Sequence, residues 1–273
     1  MDKKVMILAI VLICSIAGMA GCVGTGERST EVVTLYREML PGQVLDILDS
    51  NGGIIVSRYN GTNVTIQANK VTYGGPDDLQ NINISIVEEN NHVQIKTVVT
   101  GFSTIPREVS YNILVPDNVT VGQVSTQNGA ITITSVKGNV TASSTNGAII
   151  MTDVDGFVFA STTNGHIELT GTIGVNAVQT SNGAIDAELY DLTDTASITT
   201  SNGAITLSMR ASLNVTLDAQ TSNSNIQIQN LTMNVLTSEQ NHIVGVLGSG
   251  EKQLMIRTSN SRITIDTLQL SRP

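Results

Sequence analysis

From about residue 120 onward the chain runs in short stretches of alternating apolar and polar positions, each entered through Asn-Gly or Asn-Ser. The apolar members are Ile131/Ile133, Ile149/Met151, Ile167/Leu169, Ile185/Ala187, Ile205/Leu207, Ile226/Ile228 and Ile263/Ile265. A period of two in largely β-branched residues predicts a half-buried strand after each asparagine. The asparagines themselves, Asn128, Asn146, Asn164, Asn182, Asn202, Asn223 and Asn260, are separated by steps of 18, 18, 18, 20, 21 and 37 residues. The last step divides into 18 and 19 if Asn241 is a degenerate copy. Recurrence at this period predicts stacked units whose open faces are buried only by their neighbours.

Asn-Gly between strands is also a hairpin signal, so an antiparallel meander competes with a solenoid. A meander gives no reason for the same letters to return in the same phase. In a parallel solenoid, equivalent residues of successive coils stack about 4.8 Å apart, and like side chains line up. The fold class read from the pattern is therefore all-β, a β-solenoid with coils of about 18–21 residues. Within it the seven asparagines are expected to form a corner ladder inside the solenoid, with Gly129, Gly147, Gly165, Gly183 and Gly203 supplying left-handed φ. Asn164 and Asn182 should then be inaccessible, and Asn260 should be an end member. A second strand per coil is carried by Gly138/Val140 and Gly156/Val158, a column that Asn176 interrupts.

The first third is less even. Asn51 to Asn128 spans 77 residues, about four coils. Residues 81–99 alternate on both sides of Glu89-Asn90-Asn91 and predict a hairpin, while 73–81 reads as a loop. These early strands are expected to cap the solenoid and block its open edge.

Lys3 and Lys4 precede the apolar run Val5–Ala20, the layout of a secretory leader and short for a membrane span. Met19-Ala20-Gly21-Cys22 resembles a lipobox, with Met19 where Leu is usual; this implies cleavage after residue 21 and a lipid on Cys22. An ordinary signal peptide or an uncleaved anchor, with Cys22 incidental, is the competing reading. The only other cysteine, Cys14, lies in the segment to be removed, so no internal disulfide is available to the exported chain. Residues 22–30 read as a tether and 31–273 as one solenoid domain, irregular to about 120. The expected location is the outer face of the cytoplasmic membrane, with the membrane as partner through the lipid. Seven Asn-x-Ser/Thr sequons (Asn60, Asn63, Asn83, Asn118, Asn139, Asn214, Asn230) fit an extracellular surface.

Of 273 residues, 40% are hydrophobic and 3% aromatic, and the formal charge is −9. An acidic chain with no basic stripe and few rings on which bases could stack excludes nucleic acid as a partner. His92, His166 and His242 are far apart, His92 and His242 lack recognisable partners, and no nucleophile, metal or phosphate-binding motif is present. No cofactor or metal is expected. Stacking would, however, place Glu168 beside Asp186, with His166 and Glu188 flanking them. Such a patch suits a retaining glycosidase, a cation site or a plain solvated acidic face. The other outward positions, including Thr132, Thr134, Thr152, Thr206, Ser208, Gln227 and Gln229, are chemically quiet.

Four stretches carry a family resemblance: SNGGIIV (50–56), YNILVPDNVTV (111–121), the NGAI corners and GSGEKQLMIRTSNSRITI (248–265). Through them residues 31–269 resemble the bacterial and archaeal envelope proteins called "putative adhesins", a β-strand-repeat family related to auto-transporter-type adhesins. The resemblance implies a right-handed parallel β-helix with less regular N-terminal strands. Ser224 and Ser261 stand where glycine is usual, which predicts distortion at the last corners. The function expected is a non-enzymatic envelope lipoprotein with an adhesin-like binding or scaffolding role toward surface glycans or envelope proteins. The alternatives are a carbohydrate-active enzyme built on the acidic patch and an envelope-stress sensing component.

Overall fold

The structure, a computed structural model, describes residues 9–12, 27–101 and 104–268. Cys22, most of the leader and the start of the tether lie outside the described residues. Each regular coil gives one strand to each of two facing sheets. In the first sheet Ile131–Thr134, Ile149–Thr152, Ile167–Thr170, Ile185–Leu189 and Ile205–Met209 follow one another in parallel, with Ile131, Ile149, Ile167, Ile185 and Ile205 in one register column. In the second, Thr120–Ser125, Val140–Ser143, Phe157–Ser161, Gly174–Gln179 and Leu192–Thr199 do the same. Parallel pairing across every Asn-Gly excludes the meander. The two inner faces meet in a single apolar core of isoleucine, valine and leucine, as the period-two pattern requires.

Both ends depart from sequential stacking. The coil made of Val44–Leu48 and Ile54–Arg58 lies between two later ones: Ile54 pairs in parallel with Ile131 on one side and Tyr111 on the other. Asn51 and Asn128 therefore belong to touching coils. The residues expected to form coils between them instead build the cap. Ile82–Glu89 and His92–Val99 form the expected hairpin at the edge of the second sheet, turning through Asn90 and Asn91 at φ 51° and 68°. Ser29–Arg37 and Val64–Thr72 close the first sheet as antiparallel strands against Arg107–Val115, and Ala9–Leu12 pairs with the outer edge. Ser29 and Thr30 thus belong to a strand rather than the tether. Residues 73–81 are a loop only at their start, since Pro76–Asn81 forms a 3-10 helix.

At the other end the last coil in sequence is the penultimate one in space. Ile263 pairs with both Ile205 and Ile226, and Lys252–Thr258 lies between Leu192–Thr199 and Val215–Thr221. The long step before Asn260 holds a hairpin, Asn234–Ser238 and His242–Leu247, laid antiparallel on Val215–Thr221. Asn241 sits in its turn and is not a degenerate coil.

The corner explains the repeated letters. None of Gly129, Gly147, Gly165, Gly183 and Gly203 has positive φ, so the expectation of left-handed backbone is corrected. Glycine is required by proximity. A Cβ on Gly147 would lie 1.8 Å from the Gly129 carbonyl oxygen, and one on Gly183 would lie 1.7 Å from that of Gly165. The residue two before each corner asparagine closes the contact. The hydroxyls of Thr126, Ser144, Thr162, Thr180, Thr200 and Thr258 each donate to the glycine carbonyl one coil back at 2.9–3.1 Å. Four of them also accept the N–H of their own coil's glycine at 3.0–3.3 Å. All six are buried.

Outside this buried relay runs the asparagine ladder. Each Nδ2 donates to the Oδ1 of the preceding coil at 2.5–2.8 Å, in the order Asn223, Asn260, Asn202, Asn182, Asn164, Asn146, Asn128, Asn51. Asn51 ends the chain of amides on the Arg107 carbonyl at 3.2 Å. The ladder is solvent-exposed, Asn164 and Asn182 included, and Asn260 is an interior member; both expectations are corrected. Ser261 keeps the stack by donating to the Asn202 carbonyl at 2.8 Å.

Exposure sets which member matters more. Water replaces the partners of an exposed amide but cannot reach a buried glycine carbonyl. Thr162→Val should cost about 1–3 kcal/mol and Asn164→Ala about 0.5–1 kcal/mol in urea unfolding. A larger loss in Asn164→Ala would contradict the assignment of the hydroxyl as the inner tie.

Candidate functional site

The strands Ile167–Thr170 and Ile185–Leu189 set Glu168 directly opposite Asp186 on the outer face of the first sheet. His166 joins them: its Nε2 lies 3.9 Å from Glu168 Oε2 and 3.7 Å from Asp186 Oδ2. The three side chains are 37%, 49% and 51% exposed, so bulk water screens their interactions. Glu188 does not join the patch. Its Oε2 accepts the Gly171 N–H at 3.0 Å and the Tyr190 hydroxyl at 3.2 Å. Among the described residues no group of three or more His, Cys, Asp or Glu is arranged to hold a metal ion. What the arrangement can do is limited to weak contacts with a polar or cationic group arriving from solvent.

The other two histidines have partners that the sequence did not reveal. His92 Nδ1 lies 2.6 Å from Asp46 Oδ2, and the buried Asp46 also accepts the Gln123 N–H at 2.8 Å. His242 Nε2 lies 3.0 Å from Asp218 Oδ1. The Arg257 guanidinium, hydrogen-bonded to the same carboxylate, holds Asp218 below the usual carboxylate range. Both pairs join strands adjacent only through the non-sequential ends, so sequence spacing carries no trace of them. In the cap, Arg107 grips Asp78 through two bonds of 2.5 and 2.8 Å. That contact, with help from Thr72 and Asn81, holds Asp78 well below its ordinary range.

Asp49 is the opposite case. It stands just before the Asn51 corner, is 8% exposed, and neither carboxylate oxygen has a hydrogen bond of ordinary geometry. Burial pushes its pKa up to about 6; the nearby Thr97 hydroxyl and Ser50 amide pull the other way without offsetting it, and the Glu108 charge adds to the rise. With Thr97, Arg107 and Glu108 it lines a cavity of about 30 Å³ where the cap meets the first coil. That is room for a water molecule.

Residues 108–266, more than half of the chain, match the family model described as Toastrack DUF4097. The chain belongs to the Toastrack family. Its Toastrack region begins inside Arg107–Val115 and ends inside Ile263–Thr267. It therefore holds the acidic patch and the seven predicted corner asparagines, while Asn51 completes the ladder from the N-terminal side. Three solved structures are similar to this Toastrack chain in part. A "putative cell adhesion protein" from Clostridium sporogenes is 9% identical over 89% of this chain and 100% of its own, with a TM-score of 0.37. A "putative adhesin" from Bacteroides fragilis is 13% identical over 87% and 97%, at 0.37. Another from Parabacteroides distasonis is 9% identical over 88% and 97%, at 0.39. No curated protein sequence matches the chain significantly.

Asp49 makes stability depend on pH in a definite direction. Its folded pKa lies above the ordinary carboxylate value of 3.8, so the protonated form favours the fold. The contribution is fully present below about pH 4 and is lost as pH rises through 6. The shift corresponds to a cost on the order of 3 kcal/mol at neutral pH. Asp49→Asn should therefore raise the unfolding midpoint at pH 7.5 and flatten the stability profile between pH 4 and 7. A variant less stable than the parent at pH 7.5 would contradict this.

Proposed function

We propose that this Toastrack protein is an exported lipoprotein, held at the outer face of the cytoplasmic membrane by Cys22, that acts as a binding or scaffolding module without catalytic turnover. The observation that carries the binding role is the outer surface of the strands. Apart from Ile55, Ile150 and the acidic pair Glu168 and Asp186, the outward register column of the first sheet holds hydroxyls and an amide, Thr132, Thr206, Thr264 and Gln227, on a framework tied coil to coil. Rigid, closely spaced polar groups favour multivalent contact with a polymer over the chemistry of a single bond.

Catalysis on the acidic patch is disfavoured on physical grounds. Among the described residues the only ion-pair contacts of the half-exposed His166, Glu168 and Asp186 are with one another, and most enzymes owe more of their rate to preorganised stabilisation of developing charge than to any other effect. Export and anchoring rest on the apolar leader run, on Met19-Ala20-Gly21-Cys22, and on the lack of any other cysteine in the processed chain.

The test combines release and turnover. The full-length Cys22→Ser chain should appear in the soluble envelope fraction or stay unprocessed, and the wild-type chain should release no new reducing ends from envelope polysaccharides, with or without Ca²⁺. Cys22→Ser that stays membrane-bound with a normally cut N-terminus would remove the anchor. Turnover that disappears in Glu168→Gln or Asp186→Asn would make the patch an active site.

A further inference from the structure

The outer face of the second sheet carries a feature that the scarcity of aromatics in the composition concealed. Phe157 and Phe159 alternate along Phe157–Ser161 and both turn outward, half-buried. With Asn139, Thr141, Asn176 and Thr193 they line a cleft of about 140 Å³. No charged side chain lines it.

Four local departures from the repeat converge on this cleft. The Phe157 ring lies across Gly174, where a Cβ would approach it to 2.6 Å, so glycine in the next coil makes room for it. Asn139 accepts the Phe157 N–H through Oδ1 at 3.0 Å, which fixes the side chain while Nδ2 remains available as a donor. Asn176, which broke the predicted column, is a bulge residue: Val158 pairs with Val175 and Phe159 with Ala177, leaving Asn176 unpaired and exposed between them. One coil further, Val175 pairs with Leu192 but Ala177 with Ser197, so the chain loops out and brings Thr193 to the rim. Thr193 donates to the Thr195 carbonyl at 2.9 Å, keeping its oxygen lone pairs free. Bulges of this kind re-aim side chains and concentrate beside functional sites.

We propose that this cleft binds one neutral sugar residue of an envelope glycan. This deepens the binding role proposed above and rests on it. A pyranose has an apolar C–H face and an equatorial rim of hydroxyls. The outward Phe159 ring offers a flat apolar surface for the first, and the amides of Asn139 and Asn176 offer both donors and acceptors to the second, with Thr141 beside them. The absence of a lining charge selects against uronic and sialic acids, whose carboxylates would lose water without a cation in return. The volume is far below that of a cleft for a drug-sized ligand and suits a single ring.

The experiment uses the full-length Cys22→Ser chain from a host without N-glycosylation, so that the sequon at Asn139 carries no sugar of its own; intact mass confirms this. Neutral hexoses, N-acetylhexosamines and uronic acids are titrated by heteronuclear NMR. At least one neutral sugar should bind, shifting the Asn139 and Asn176 side-chain amides, and uronic acids should bind more weakly. Phe159→Ala and Asn176→Ala should each weaken binding about tenfold or more, while Glu89→Gln, exposed in the cap hairpin, should leave it unchanged. Asn176 is exposed on a bulge, so its variant tests the cleft even if Phe159→Ala is poorly folded. Failure of every neutral sugar to bind, or undiminished binding in Asn176→Ala, would overturn the cleft. Retained adhesion to envelope fractions in that case would leave the wider binding role standing, whereas loss of both would remove it as well.

Discussion

The rest of the structure depends on how closely successive coils approach at the Asn-Gly corner. There the backbone of one coil sits where the Cβ of the next would have to be, at 1.7–1.9 Å from a carbonyl oxygen for Gly129 through Gly203. Only glycine permits that approach, and it leaves a carbonyl and an N–H facing each other across the joint. From Gly147 to Gly203 the buried threonine or serine three residues earlier ties both, donating to one coil and accepting from its own. Thr-x-Asn-Gly is thus one device with three parts: glycine permits the contact, threonine satisfies its polar atoms, and asparagine repeats the bond on the solvent side.

A joint of this kind fixes register, because a one-residue slip would place a Cβ against a carbonyl and turn the isoleucine column outward. It also leaves two open ends, which the protein closes by the same move twice. At each end a coil is inserted between neighbours that are not adjacent to it in sequence, Val44–Arg58 at one end and Lys252–Thr267 at the other. Antiparallel strands then finish each sheet or lie beside its last coil, so that few unpaired backbone groups face solvent as a template for further pairing.

The central coils were legible in the sequence because each uses local rules: alternation gives the strands, and the period gives the stack. The hairpin at Asn90-Asn91 was legible for the same reason. The order of coils at the ends was not, since Asn202 meets Asn260 across 58 residues and Asn128 meets Asn51 across 77, and nothing in a repeated motif says which copy is its neighbour. The role of glycine was misread because close approach and positive φ leave the same letter. A threonine, or Ser144 in one copy, stands two residues before each of the seven predicted corner asparagines, but only burial separates its role from that of the asparagine. Of the candidate site, the pairing of Glu168 with Asp186 followed from register alone, whereas the turn of Glu188 toward Gly171 depended on side-chain reach. The Phe157–Phe159 cleft depended on two irregularities in the second sheet that no periodic reading contains.

Rigidity and exposure together connect this architecture to the proposed role. Outer positions can vary freely while the corner holds the coils, so a cleft such as that at Phe159 can be added by a bulge without disturbing the core. The central claim is the spatial order of the corners, with Asn260 seated between Asn202 and Asn223. Pairs of substitutions test it directly: on a Cys22→Ser background, Asn202→Cys is combined with either Asn260→Cys or Asn223→Cys and treated with a short bis-alkylating reagent. Neighbouring coils lie about 4.8 Å apart and next-neighbours about 9.6 Å apart. Efficient cross-linking of 202 to 260 and little of 202 to 223 is predicted; the reverse would show sequential stacking and contradict the account.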